Sequence, residues 1–546
     1  MSADASSTDP NSAEPKGGDG AHEQGVVARR AGVIALGTLS SRLLGAARDM
    51  VVAATFAVAF SDAFWLAFTI PNALRVLLGE GAVSAAFVPE ITRVRTQRGQ
   101  ADATVFFARL AGAMGLLLLT VSLVGVLTAP WLVRLYASGF AESPELFERT
   151  VSLTRLVFPY VGIVGIASLV MGALHASKRF VAASFAPAML NVGLITAALL
   201  LAPWLASQGE ESVYALVVGA LAGGILHVLF QLPSLRAAGY LVRPRLALRD
   251  PDVRRAFRLL APILVALGVY QMNIIASRQL ASYLEVGAIS YLFYGQRLVE
   301  IPQGMFALAI GSAALPTLAE HAAKGDLEKA KALFRRSLSL SLFVAIPSTV
   351  GLAVLAEPFV ANLFGRGAFG PTEVQQTGHS LVALAVGIWA VAAVRTIVPM
   401  FHSLGDTRSP VYASGINLVV FFTISVLTMT SLGHVGLAIA ISAAAAAQLT
   451  GLLVLLRRRV GALGLGEVFG SAGRALIASA AMGLVLWQSR SFVDVSEPLQ
   501  ASAVGIGVLA VQVAAGGLTF VLVARLVRSP ELEVVLGVLR RRVRRS

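Results

Sequence analysis

What most constrains this chain is the recurrence of apolar stretches long enough to cross a bilayer. A helical crossing needs about 20 mainly apolar residues. Windows of that length fall near 31–57, 62–89, 104–129, 151–174, 181–203, 213–233, 257–279, 285–315, 336–356, 377–402, 410–432, 434–456, 471–489 and 501–526. That predicts about fourteen transmembrane helices; the run holding Arg297 and the short gap from Leu432 to His434 are the weakest signals. Of 546 residues 56% are hydrophobic and 14% charged, which is too apolar for a soluble domain. The expected class is an all-α polytopic membrane protein.

Several chemistries are excluded at once. There is no cysteine, so disulfides, thiolate catalysis and Cys-ligated zinc are ruled out. The seven histidines form no HExxH-like spacing, and no Walker A motif is present, so neither a metal site nor ATP hydrolysis by that route has support. No cofactor is expected. Residues 1–30 begin with a Ser-, Asp-, Gly-, Glu- and Pro-rich stretch without apolar periodicity, read as a disordered cytoplasmic tail. No short apolar segment with a small-residue cleavage site precedes the first crossing, so no cleaved signal peptide is expected.

The net charge of +14 could suggest nucleic acid, but its distribution points to topology. With the N-terminal tail in the cytoplasm, 32 of the 44 Lys and Arg residues fall on that side. Four lie opposite, namely Arg134, Arg149, Arg366 and Arg490, and eight lie within or at the ends of crossings. This is a strong positive-inside pattern. It predicts an even number of crossings with both termini cytoplasmic, and basic loops that meet lipid headgroups rather than nucleic acid.

A weak internal repeat runs at a spacing of about 227 residues. Ala86–Ile91 lines up with Ala314–Ala319, His175 with His402, and Asn191 falls near Asn417. Two pseudo-symmetric six-helix lobes result, 31–235 and 236–456, around a central cavity. Crossings 13 and 14 (457–526) and a basic tail (527–546) follow. Duplication of this kind is a transporter habit, with the substrate site between the halves.

Within Ser40–Pro89 the apolar runs carry Arg42, Arg48, Asp49, Asp62, Arg75 and Glu80. An Arg or Asp at the bilayer centre costs roughly 2.5–3.5 kcal/mol on insertion scales, and such residues face a cavity or a polar ligand. Arg42 and Arg48 suit an anion, because guanidinium offers a planar fork to phosphate oxygens. They point about 120° apart on a straight helix and share a cavity only if the helix bends, for which Gly45 is placed. Arg42 and Asp49 do share a face, so an internal ion pair is the competing reading. Arg297 has Glu300 three residues on, able to pair on one face. Asp62 reads either as the N-cap of the second crossing or as a gate partner, and Arg75 and Glu80 as gating or positioning groups near Pro71, Gly79 and Gly81. Asn273, Arg278, Arg395 and Asn417 read as structural, satisfied by neighbouring helices. His175 and His402 sit at helix ends, where an interfacial role is expected.

Ser41-Arg42-Leu-Leu-Gly45-Ala-Ala-Arg48-Asp49, Asp62-Ala-Phe64, Pro71-Asn72-Ala-Leu-Arg75, Gly79-Glu80-Gly81-Ala82 and Ala86-Phe87-Val88-Pro89 follow in order. So do Tyr291-Leu-Phe-Tyr294-Gly-Gln-Arg297-Leu-Val-Glu300-Ile-Pro302-Gln-Gly304, Leu363–Phe369 and Gly405–Pro410. Together they resemble the lipid II flippase family (MurJ, or MviN) of the multidrug/oligosaccharidyl-lipid/polysaccharide exporter superfamily, over about residues 31–456. The resemblance implies a flippase without enzymatic activity, in the bacterial cytoplasmic membrane. It would move undecaprenyl-diphosphate-linked peptidoglycan precursor from the inner to the outer leaflet. It implies that Arg297 is the family's matching cavity arginine, completing with Arg42 and Arg48 a clamp for the diphosphate. Peptidoglycan synthesis machinery is the implied partner besides lipid II and membrane lipids. The sodium site of some relatives finds no acidic residue in crossings 7, 11 and 12 here, and coupling to the membrane potential or a monovalent cation is expected. The last two crossings form either a groove for the lipid tail, as the family implies, or ordinary packing helices. The rival readings are an exporter of polysaccharide repeat units on a polyprenyl carrier and a multidrug/cation antiporter.

Overall fold

A computed structural model describes residues 19–75, 82–303, 316–321, 323–490 and 503–543. Every regular element among them is helical. The first half holds α1 (Asp19–Thr55), α2 (Val58–Arg75), α3 (Ala82–Arg98), α4 (Gln100–Leu127), α5 (Ala129–Ala137), α6 (Pro144–Val157) and α7 (Tyr160–Ala176). It continues with α8 (Phe180–Phe185), α9 (Ala188–Thr196), α10 (Ala202–Ser207) and α11 (Tyr214–Ala237). The second half holds α12 (Pro251–Ala281), α13 (Ala288–Pro302), α14 (Leu327–Val354), α15 (Ala356–Phe364), α16 (Pro371–Ala385), α17 (Ile388–Ser403) and α18 (Arg408–Val460). Then come α19 (Gly466–Arg490), α20 (Ala503–Leu526) and α21 (Pro530–Val543).

The repeat foreseen from scattered residues is a repeat of element boundaries. Helix α14 begins and ends 227 residues after α4, α15 begins and ends 227 after α5, and α16 begins 227 after α6. His175 and His402 close α7 and α17 at the same offset. The nine-residue α5 and α15 are too short to span and were not expected from a 20-residue window.

Among the described residues eight helices are long and apolar enough to cross a membrane, and nine if α16 and α17, bent by 43°, make one crossing. The chain is thus a multi-pass membrane protein. Several expected crossings fall short of that test for physical reasons. The 53-residue α18 merges two of them across Gly433, where φ is 56°. Two more carry charge: α1 has Arg42, Arg48 and Asp49 in its second half, and α12 has Arg254, Arg255 and Arg258 near its start.

Side-chain polarity is handled as lipid demands. Hydroxyls such as Thr120, Thr423 and Thr519 donate to the carbonyl four residues back and so show the bilayer no free O–H. Small residues let helices close in: a Cβ on Gly193 of α9 would come within 2.6 Å of Gly223 Cα on α11. Large apolar side chains face outward at Leu127, Leu200, Phe469 and Leu526. Helices α19 and α20 pack together and lean on α14, so the last two crossings join the second half.

The halves meet along α2 with α13, and α12 with α3, α4 and α5. Helix α12 touches the first half at both ends. At its start Arg93 and Arg98 pair with Asp252, Arg255 with Glu90, and Arg109 with Asp250. Near its end Gly139 N–H donates to Ser282 at 3.1 Å.

Candidate functional site: a charged seam between the halves

Helix α1 runs unbroken through Gly45, and Arg48 and Asp49 lie on its buried side. Arg48 donates from Nε and Nη2 to Asp49 Oδ1 at 2.9 and 2.6 Å, and from Nη1 to Asn191 Oδ1 at 3.1 Å. Asn191 in turn donates to the Ser41 carbonyl at 3.0 Å, which pins α1 to α9. The second Asp49 oxygen faces the other half, where Arg297 Nε lies 3.3 Å away. Arg297 also pairs with Glu300 at 3.0 Å and lies 4.9 Å from the centre of the Phe293 ring. One buried carboxylate is therefore shared by two guanidinium groups from opposite halves. Arg48 hydrogen-bonds this carboxylate and Arg297 pairs with it by charge, and both offset the cost of burying the anion.

Aromatic rings close the seam beside these charges. Trp65 lies 5.5 Å from the Arg48 guanidinium, stacks on Phe293 at 4.1 Å and donates from Nε1 to Tyr294 Oη at 3.4 Å. Cation–π contact and stacking both favour this placement. Further along, Asp62 is buried and accepts from Gly287 N–H and Ser290 N–H, each at 2.7 Å. Those are free N–H groups at the start of α13, so the carboxylate caps a helix of the other half. A third contact joins Ala368 N–H to the Ala54 carbonyl at 2.8 Å. These seals lie away from the basic helix ends at Arg93, Arg98 and Asp252.

The expected residues divide as follows. Arg48, Asp49 and Arg297 come together. Arg42 is exposed, has no acceptor within hydrogen-bond reach among the described residues, and does not meet Asp49, so the Arg42–Asp49 pair gives way to Arg48–Asp49–Arg297. The N-cap reading of Asp62 for its own helix is corrected: α2 begins at Val58, and Asp62 caps α13 instead. Arg75 donates to Asn72 at 2.8 Å at the end of α2, away from the shared carboxylate. Glu300 is exposed beside Arg297, and Glu80 lies outside the described residues. Arg278 donates to the Ile289 carbonyl, Arg395 to the Gln303 carbonyl and Asn417 to Gln448, each satisfied by a neighbouring segment. Sequence reasoning missed Trp65, Phe293 and Tyr294 and gave Asn191 no role at the site; an Asn in an apolar run was the one signal available. Among the described residues no group of three or more His, Asp or Glu side chains is placed to hold a metal ion.

Repeated halves joined by a charged, aromatic seam inside a multi-pass helical body have the architecture of a membrane transporter. The fold is shared with a solved lipid II flippase MurJ in an inward closed conformation, with a TM-score of 0.73 at 21% identity over 90% of this chain and 98% of that one. It is shared also with an inward-facing multidrug resistance MATE family transporter of the MOP superfamily, with a TM-score of 0.63 at 16% identity over 78% and 96%. The family model described as "Lipid II flippase MurJ" matches residues 51–498. A probable lipid II flippase MurJ of Vibrio cholerae is 34% identical over 76% of this chain and 79% of its own length. A lipid II flippase MurJ of Burkholderia cenocepacia is 33% identical over 77% and 82%. The chain belongs to the lipid II flippase MurJ family. The matched segment starts two residues after Asp49, so Arg42, Arg48 and Asp49 lie just ahead of it.

Proposed function

We propose that the chain is a lipid II flippase of the bacterial cytoplasmic membrane, carrying the lipid-linked precursor from the inner to the outer leaflet by alternating access. Family membership supports the cargo. The observation that carries the mechanism is Asp49, shared between Arg48 of one half and Arg297 of the other. A diphosphate offers two guanidinium groups more negative charge and more acceptor oxygens than one carboxylate does. Bound between the halves, it would take over Arg48 and Arg297, and Arg42 would complete the clamp in a state in which α1 bends at Gly45. Freeing Asp49 from one half lets the seam part. Asp62 then acts as the gate on the face away from the basic ends, and Arg75, Glu80 and Glu300 serve as gating or positioning groups.

In this reading the lobes are 31–235 and 236–456, the crossings number fourteen, and both termini are cytoplasmic as the basic loops suggest. The membrane potential or a cation resets the cycle, since a charge moved through 100 mV is worth about 2.3 kcal/mol. The peptidoglycan synthesis machinery takes the product. The test is complementation of a host depleted of its own lipid II flippase. Rescue by the unaltered chain, and loss of rescue by Arg48→Ala or Arg297→Ala at matched membrane levels, is expected. Rescue by both variants overturns the clamp, and failure of a well-inserted unaltered chain overturns the cargo.

A further inference from the structure

His434 stands at the break in α18, one residue after Gly433, and its side chain is 4% exposed. Both ring nitrogens face acceptors. Nδ1 lies 2.5 Å from Glu285 Oε1, and Nε2 lies 3.1 Å from the Gln376 carbonyl oxygen. A carbonyl only accepts, an ionised carboxylate only accepts, and neutral imidazole has one N–H. The arrangement is complete as imidazolium with carboxylate, or as neutral imidazole with carboxylic acid. Either form holds one proton more than neutral histidine beside ionised glutamate.

The position of the pair gives that proton a consequence. Glu285 lies on the link between α12 and α13, two residues before Gly287, whose N–H donates to Asp62 of the first half. The link is thus held by α2 on one side and by His434 on the other. Glu285 is 51% exposed, so water on that face reaches the pair. Around it α13 places the Tyr291 ring 5.2 Å from the His434 ring, and the other acidic groups acting on Tyr291 are Glu373 of α16 and Asp62 of α2. Arg278 of α12 acts on Asp62 and donates to the Ile289 carbonyl.

We propose that His434 and Glu285 form a proton-binding site that couples closure of this gate to the pH of the solution on its own side. One proton enters from that solution, and the pair passes from one net negative charge to none. Both His434 contacts then become hydrogen bonds, and the link is fixed against α16 and α18. When the proton leaves, two acceptors share one N–H, one contact turns repulsive, and the link is released. Only the closed state gives the added proton both partners, so closure is favoured in acidic solution and lost in alkaline solution. An acidic exterior would return the protein to the state closed on that side. This rests on the transport cycle proposed above and names the proton as its resetting cation.

The chain has no cysteine, so two introduced ones take spin labels without background. Ser207 at the end of α10 and Thr372 at the start of α16 are exposed and lie on different halves. Their distance is read by pulsed EPR in lipid nanodiscs at about pH 5.5 and about pH 8.5, either side of the histidine range. A short distance is expected at the lower pH and a longer one at the higher. Glu285→Gln lets an amide donate to unprotonated Nδ1 and leaves Nε2–H for the Gln376 carbonyl, so the short distance is expected at both values. His434→Leu removes the site, so the longer distance is expected at both. The proposal is overturned if the labelled parent does not respond to pH, or if both variants shift the distance the same way, as a merely structural pair would. No lipid II is needed, so a wrong cargo would show as failed complementation beside an intact pH response.

Discussion

Asp62 on α2 and Ser290 on α13 belong to different halves, and the carboxylate of the first accepts the backbone N–H of the second at 2.7 Å. The other Asp62 oxygen accepts from Gly287 at the same distance. Hydrogen bonds to a charged group contribute about 1.5–3 kcal/mol each. Asp62→Ala is expected to remove both and leave two buried N–H groups at the start of α13. Asp62→Asn keeps one acceptor and should fall between. Thermal unfolding in detergent checks the order, and equal losses for the two variants would refute it.

Asp49 serves two arginines, whereas Glu300 is an exposed partner of one. Removing one member of a buried pair costs about 3–5 kcal/mol, while exposed pairs contribute about 0–1 kcal/mol. Asp49→Ala should therefore lower the unfolding temperature far more than Glu300→Ala. Similar shifts would mean that the seam is solvated and its charges screened.

Arg42 should behave differently from both. It is exposed, with no acceptor in reach among the described residues, so Arg42→Ala is expected to leave thermal stability within about 0.5 kcal/mol, the range of ordinary surface changes. If it contributes to the clamp, complementation is lost all the same. A variant that both unfolds early and fails to complement would remove Arg42 from the substrate list.

Gly367 and Gly405 both have positive φ, 58° and 70°. A Cβ at Gly405 meets nothing within 4 Å, whereas one at Gly367 would run into the Ala54 carbonyl of α1. Left-handed backbone costs a residue with a Cβ roughly 1–2 kcal/mol. Gly405→Ala should show that cost alone, and Gly367→Ala that cost plus a displaced contact between halves. The excess loss of stability at Gly367 is the quantity to measure.

On the basic face, burial pushes the Asp252 carboxyl up, but hydrogen bonds and charge from Arg93 and Arg98 outweigh it and hold it below the usual carboxylate range. A depressed value means that the folded state gains stability above the unfolded carboxyl's range, about 3.9, and loses it as pH falls through the folded value. Stability from this group should be flat from about pH 7 to about pH 5 and fall below about pH 4. Asp252→Asn should be less stable at neutral pH and lose less on acidification.

Much of this was legible in the sequence, because charges in apolar runs are conspicuous. Arg48, Asp49 and Arg297 stand out by residue type alone. Their pairing does not, since Asp49 could reach Arg42 on its own helix as well as Arg297 on another, and packing decides. Asp62 carries the same lesson. Capping rules are local along the chain, yet the N–H groups it satisfies lie more than 200 residues away. His434 fell in the weakest gap between expected crossings, and nothing local announces that both ring nitrogens meet acceptors. Trp65 and Phe293 read as ordinary apolar residues, and only their stacking reveals the seam.

The register of the repeat has a practical consequence. Because α4 to α6 and α14 to α16 start at one constant offset, the chain carries an internal control for many of its own positions. Pro144 stands over Pro371, and His175 over His402. Changing one member of such a couple, then the other, compares two sites of equivalent backbone in a single molecule. Where the two responses differ, the difference belongs to the distinct surroundings of each half rather than to the shared backbone.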